Sequence, residues 1–188
     1  MAPVGILLAA GRGRRFDPSG AHNKLLQPLP GGVPVVVASA RNLLAGMPRV
    51  VAVVRPDDGG VARALINLGV DVTVCAEADS GMAASLVHAI RYSLPADGFL
   101  VALGDMPFVL PSTIRALCDA LAAGAGIAAP VQHGRRGNPV AFAATHLPAL
   151  LALEGDQGAK RLLRAQPVTE VEVPDPGIFR DIDTGADL

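Results

Sequence analysis

Apolar residues along this chain fall into short runs and spaced stripes that alternate from one end nearly to the other. Val4 to Leu8, bounded by Pro3 and closed at Gly11, reads as a buried strand. Pro34 to Ala45 reads as a helix, followed by the β-branched strand Val50 to Val54, which ends at Arg55-Pro56. Val61 to Leu68 is a second helix stopped by Gly69, and Val70 to Cys75 is the next strand. Met82, Leu86, Ala89 and Ile90 mark one face of a helix, with small Ser85 between, and that helix ends near Leu94-Pro95. Phe99 to Leu103 is another buried strand. Ile114, Leu117, Cys118 and Leu121 repeat the helical spacing, Gly124 and Gly126 end that helix, and Ile127 to Val131 is a strand. This alternation predicts a three-layer α/β, Rossmann-like fold, with a mostly parallel sheet and helices on both faces. Past residue 131 the rhythm loosens. His133 to Asn138 reads as a basic hairpin-type loop, and Val168 to Val173 alternates as a half-exposed strand would, so a smaller, partly antiparallel region is expected there.

Composition narrows the classes. At 188 residues the chain is long enough to bury a full core and is expected to be a single domain spanning 1–188. The formal net charge is −1, which excludes the basic excess of a general nucleic-acid binder. With no Trp, one Tyr and five Phe there is little aromatic surface on which to stack bases. Cys75 and Cys118 are isolated within apolar runs and read as buried thiols, which makes a cytoplasmic home the default. No stretch reaches the ~18 consecutive apolar residues of a membrane span, and no signal peptide is evident.

Positive charge is concentrated where the first strand ends. In Leu8-Ala9-Ala10-Gly11-Arg12-Gly13-Arg14-Arg15-Phe16 two glycines let the backbone turn and present N–H groups, with arginines at 12, 14 and 15. That pattern suits a polyphosphate, and equally a solvated basic turn. It is neither a dinucleotide fingerprint, which wants glycine where Phe16 stands, nor a P-loop, whose Gly-Lys-Ser/Thr is absent.

Open parallel sheets bind ligands at the carboxyl ends of their strands, so the segments that follow strands matter most. Gly104-Asp105-Met106-Pro107 puts a carboxylate directly after a strand, where it suits a hard cation or simply caps a turn. Ser80-Gly81-Met82-Ala83-Ala84-Ser85-Leu86 opens a helix whose N–H groups face either a nucleotide or nothing but a packed turn. In Asp181-Ile182-Asp183 the two carboxylates are expected to divide, one toward a site and one away. Gly155 to Lys160 opens a further short helix that either holds an anionic group or is a capped loop.

In combination these segments resemble the nucleotidyltransferases that build dinucleotide forms of the molybdenum cofactor, a family with a GT-A-like fold. The shared pieces run in order: the glycine loop, Lys24, Gly81-Met82-x-x-Ser85-Leu86, Gly104-Asp105-Met106-Pro107, Gly137-Asn138-Pro139-Val140, Gly155-Asp156-x-Gly158-Ala159 and Asp181-Ile182-Asp183-Thr184. The Ala-Ala-Gly form of the loop is similar to that of the cytidylyltransferases, whereas guanylyltransferase relatives carry Ala-Gly-Gly. The resemblance implies Mg²⁺ or Mn²⁺, CTP and a molybdopterin-type acceptor, with a client molybdoenzyme downstream.

It also implies roles. Residues 1–131 would bind nucleotide and 132–188 the acceptor. Arg15, Lys24 and Asp105 would be catalytic. Leu8, Ala9, Ala10, Gly11, Gly13, Ser80, Gly81 and Ser85, with those three, would hold the nucleotide. Asp105 and Asp183 would carry the metal, and Pro107, Arg136, Asn138 and Asp156 would meet the acceptor, with Arg135 a further candidate. The chain departs from the family in the segment Asp17 to Asn23, which delays Lys24. Guanylyl or sugar-phosphate transfer on the same fold, and a non-catalytic chaperone that delivers the cofactor, are the alternatives.

Overall fold

The computed structural model describes residues 2–156 and 158–188. Its strands are β1 (Val4–Leu8), β2 (Val50–Val54), β3 (Asp71–Val74), β4 (Gly98–Leu103), β5 (Ile127–Gln132), β6 (Arg135–Arg136), β7 (Val140–Ala143) and β8 (Thr169–Glu172). Its helices are α1 (Val35–Gly46), α2 (Val61–Ile66), α3 (Met82–Ser93), α4 (Pro111–Ala122), α5 (Leu147–Leu151) and α6 (Lys160–Ala165). Among the described residues the strands form one sheet in the order β3-β2-β1-β4-β7-β5-β6, with β8 paired to β5.

Alternation along the strands builds the three layers. Leu7, Ala52, Leu100, Ala128 and Ala141 pack with α1, α2 and α4 in one apolar cluster. Their neighbours Ile6, Val51, Val53, Phe99 and Ile127 pack with α3, α5 and α6 in a second cluster on the opposite face. Successive side chains of a strand point to opposite faces, so a strand covered on both sides must be apolar throughout. That is why β2 reads Val-Val-Ala-Val-Val and is buried along its whole length.

Four neighbouring strands are parallel: β1 pairs with β2 and with β4, and β2 pairs with β3. The chain therefore moves from β1 outward to β2 and β3, then returns to place β4 on the other side of β1. That reversal opens a crevice at the carboxyl ends of β1 and β4.

Beyond residue 131 the structure is more regular than the sequence pattern suggests. His133 and Gly134, both at positive φ, turn β5 back into β6 as a tight hairpin. After Gly137-Asn138-Pro139 the chain continues as β7, which runs antiparallel to β4 on one side and to β5 on the other. β8 returns parallel to β5. The strands beyond residue 131 are thus woven into the main sheet.

A buried carboxylate fixes the last segment. Asp175 accepts hydrogen bonds from Leu110 N–H at 2.9 Å, Thr113 Oγ1 at 2.6 Å and Gly177 N–H at 2.9 Å. A Cβ at Gly177 would lie 2.0 Å from Phe108 O, so only glycine permits this approach. The chain then reaches buried Ile182, whose N–H donates to Asp105 O at 2.8 Å. No helix among the described residues is long and apolar enough to cross a membrane.

Candidate active site

The glycine loop leaves β1 at the crevice. Among the described residues, the N–H groups of Gly11, Arg12, Gly13 and Arg14 have no backbone partner, so the loop presents several free donors. Only one of its two glycines has a left-handed backbone: Gly13, at φ 62°, where a Cβ would come within 3.2 Å of Lys24 Cγ. At Gly11 a Cβ would meet nothing within 4 Å, so its surface is open to the cleft.

That cleft, of about 480 Å³, is lined by Leu8, Ala10, Gly11, Gly13, Arg15, Lys24, Gly81, Ser85 and Asp105 from the predicted nucleotide set. Ala9 lies behind it in the core, and Ser80 sits exposed on the turn just before α3. Asp156 lines this same cleft, with Oδ1 placed 2.7 Å from where a Cβ on Gly81 would be. The other expected acceptor residues lie apart from it. Pro107 is buried and its carbonyl accepts from Asn42 Nδ2 at 2.9 Å. Arg136 is exposed and paired with Glu170 Oε1 at 2.7 Å, and Asn138 N–H donates to Ile178 O at 3.0 Å. The segment before α6 includes Gln157, which lies outside the described residues.

The charged centre is a lysine among carboxylates. Lys24 Nζ donates to Asp105 Oδ2 at 2.7 Å and to Ile182 O at 3.0 Å, and lies 3.6 Å from Asp183 Oδ1. Arg15 reaches the other oxygen of Asp183 at 2.7 Å. Asn23 caps the short turn that carries Lys24, accepting from Leu25 N–H at 3.0 Å while its amide donates to Asp58 O at 2.9 Å. The departing segment before it folds on itself, because Asp17 accepts from the N–H groups of Ser19 and His22.

Asp181 joins this centre, contrary to the expected division of the two carboxylates. Asp105, Asp181 and Asp183 each offer an oxygen within 4.8 Å of the others. In extended chain, residues two apart share a side, and the intervening Ile182 takes the opposite one into the core. Partial desolvation, with the neighbouring charges of Asp183 and Asp105, pushes the carboxyl of Asp181, an exposed residue, above its usual range. The trio fits a divalent cation: the donors are hard oxygens, and Asp183 Oδ1 is a buried atom without a hydrogen-bond partner.

A second network also lines the cleft. Arg55 follows β2 directly and is buried, with its side chain 8% exposed. It binds Asp57 Oδ1 at 3.0 Å and Asp79 Oδ1 at 2.9 Å, leaving Nη1 without a partner. Arg12 holds Asp79 from the loop side, with Nε at 2.8 Å from Oδ1. The two arginines, Arg12 first, hold the Asp79 carboxyl well below the usual range. Arg55 was findable by the strand-end rule already applied to Asp105. Asp79 carries no sequence signal, because its partners are 67 and 24 residues away.

Free loop N–H groups, a lysine shared between carboxylates and a three-carboxylate cluster at a sheet crevice together fit a nucleoside triphosphate with a divalent ion. Residues 5–171 match the MobA-like NTP transferase domain. The chain belongs to that family. Purine catabolism protein PucB of Bacillus subtilis (strain 168) is 28% identical over 193 residues, covering 96% of this chain and 91% of the relative. Rv0371c of Mycobacterium tuberculosis H37Rv superposes with a TM-score of 0.83 at 29% identity, covering 100% of this chain and 96% of that one. The same protein in complex with manganese gives a TM-score of 0.80 at 28% identity, with the same coverage. Mth528, described as a nucleotidyl transferase from Methanothermobacter thermautotroptrophicus, gives 0.82 at 27% identity, covering 99% of this chain and 94% of that one. The chain is thus a nucleotidyltransferase of the MobA-like family.

Proposed function

We propose that this MobA-like transferase moves CMP from CTP to a molybdopterin-type acceptor and releases pyrophosphate. The observation that carries the reading is Lys24, hydrogen-bonded to Asp105 and beside Asp183, packed against Gly13 of a glycine-arginine loop of Ala-Ala-Gly form. An oxygen of the acceptor's terminal phosphate attacks the α-phosphorus of CTP. A new P–O bond forms, the α–β bridging bond breaks, and its electron pair leaves with pyrophosphate.

In this reading the free N–H groups of the loop and Arg15 hold the β- and γ-phosphates, and Lys24 neutralises charge on the leaving group. Asp105, Asp183 and Asp181 would hold Mg²⁺ or Mn²⁺, which supplies charge neutralisation across the phosphates when bound. No side chain need act as base, because a phosphate monoester with a second pKa near ~6 is already largely dianionic at neutral pH. Ala10 narrows the space beside the base and favours cytosine over a purine. Gly81 and Ser85, at the start of α3, also line the cleft and would face the nucleotide. A manganese complex of a similar protein supports the choice of ion.

Pyrophosphate release should be measured with each of the four NTPs against molybdopterin and against sugar 1-phosphates. CTP with molybdopterin is expected to give the highest kcat/KM. Preference for GTP, or for a sugar phosphate, would replace this assignment by the corresponding relative. Tight molybdopterin binding with no turnover for any NTP would favour a delivery protein.

A further inference from the structure

Outside the cleft, two arginines sit over phenylalanine rings. The guanidinium carbon of Arg180 is 3.9 Å from the centre of the Phe108 ring, and that of Arg135 is 4.5 Å from the centre of Phe179. Both arginines are exposed. Among the described residues neither has a carboxylate partner, whereas the adjacent Arg136 is paired with Glu170.

The supports beneath them are fixed by buried contacts. Asp175 ties the segment carrying Phe179 and Arg180 to the start of α4, and Asn138 N–H ties the strand after Arg135 to Ile178 O. A Cβ at Gly137 would come within 2.5 Å of that same carbonyl, so the two segments are in close backbone contact. Both halves of the Arg180–Phe108 pair also belong to segments that carry the acidic cluster. Phe108 stands three residues after Asp105, and Arg180 immediately precedes Asp181, one Cα–Cα step of about 3.8 Å away. Stacking on a ring sets the plane of a guanidinium and leaves its edge N–H donors free, an arrangement suited to planar, bidentate recognition of an anion.

We infer that Arg180 and Arg135, on Phe108 and Phe179, form a docking platform for the acceptor substrate, gripping its body at a distance from the phosphate that attacks. The inference rests on the transferase reading above. It defines the acceptor class as an anionic phosphate monoester whose far end offers a planar pair of oxygen or nitrogen acceptors. A ring contact without a carboxylate partner among the described residues distinguishes these two arginines from Arg12, Arg15, Arg55 and Arg136, which all face carboxylates.

The test separates the two substrates. Arg180→Gln, Arg135→Gln and Arg180→Lys would be compared with the wild type for nucleotide affinity by calorimetry with CTP and Mn²⁺, and for acceptor KM by pyrophosphate release. Arg180→Gln should raise acceptor KM by about ten- to a hundredfold, the scale of a lost hydrogen bond to a charged group, with nucleotide affinity unchanged and Arg180→Lys between. An acceptor KM that stays within about twofold in both glutamine variants, or a nucleotide affinity that falls in step with it, overturns the platform. If the wild type turns over a sugar 1-phosphate instead of molybdopterin, the pterin assignment falls and the platform is judged by the same ratio on that acceptor. If it binds CTP and Mn²⁺ yet turns over no acceptor, the transferase reading and the platform fall together.

Discussion

Gly81 is the residue at which a single methyl group should both destabilise the fold and disable the nucleotide cleft. It enters α3 at φ 124°, a backbone state that L side chains rarely adopt, and an added Cβ would lie 2.7 Å from Gly155 O and from Asp156 Oδ1. The carboxylate could swing away, but the Gly155 carbonyl is backbone and accepts the N–H of Ala83 at 3.1 Å. Gly81→Ala must therefore pay for the disfavoured φ and for displacing the 155–156 segment. The two costs together come to about 3–4 kcal/mol. For a chain of this size that is a fall in Tm of roughly 6–16 °C. Gly124→Ala supplies the control, since Gly124 also has positive φ, at 101°, but nothing lies within 4 Å of its Cβ position. It should cost only about 1–2 kcal/mol and leave nucleotide binding intact. Thermal melts and CTP titrations of both variants test the reasoning. Equal losses of Tm, or an unchanged CTP affinity in Gly81→Ala, would show that the 155–156 segment does not seal the cleft wall.

Asp175→Ala should leave Leu110 N–H, Thr113 Oγ1 and Gly177 N–H without their common acceptor and cost about 3–5 kcal/mol in urea unfolding, and a loss below about 1 kcal/mol would refute the clamp. Asp79 has a depressed carboxyl, so its stabilising contribution is present above the ordinary carboxylate pKa near ~4 and is lost as pH falls through the folded value. Tm should therefore fall more steeply toward acid in the wild type than in Asp79→Asn, and parallel acid limbs would contradict the Arg12–Asp79–Arg55 network. Ala10→Gly should erode the ratio of kcat/KM for CTP over GTP by about ten- to two-hundredfold, while an unchanged ratio would mean that position 10 does not read the base.

The parallel core of the sheet was legible because β1, β2 and β4 are short, apolar and closed by turn residues, as Val50 to Val54 is by Arg55-Pro56. β7 was not, since Val140-Ala141-Phe142-Ala143 lies between two strands, is apolar without alternation, and follows the proline of Asn138-Pro139. Its antiparallel insertion between β4 and β5 depends on pairings that local pattern does not encode. Lys24 and Asp105 were singled out by the family resemblance, yet their 2.7 Å contact joins residues 81 apart and is a product of the fold. Asp181 was misplaced by treating residues two apart as opposed when extended chain puts them on one side. Asp156 was assigned to the acceptor set by the family resemblance, and the structure sets it against Gly81 in the cleft lined by the glycine loop. The Arg180–Phe108 stack left no trace in sequence, because neither residue sits at a recognisable spacing from the other.

Following the phosphorus atoms of CTP tests the central claim most directly. CTP labelled at the α-phosphate, and separately at the γ-phosphate, should be incubated with molybdopterin, Mg²⁺ and either the wild type or Asp105→Asn. Nucleotidyl transfer predicts that the α-label moves into the pterin product and the γ-label appears in pyrophosphate. Asp105→Asn, which keeps the shape but removes a charge beside the proposed ion and the partner of Lys24, should remain folded and lose several orders of magnitude in rate. Transfer of the γ-label to the acceptor, or more than about a tenth of wild-type turnover in Asp105→Asn, would contradict the account.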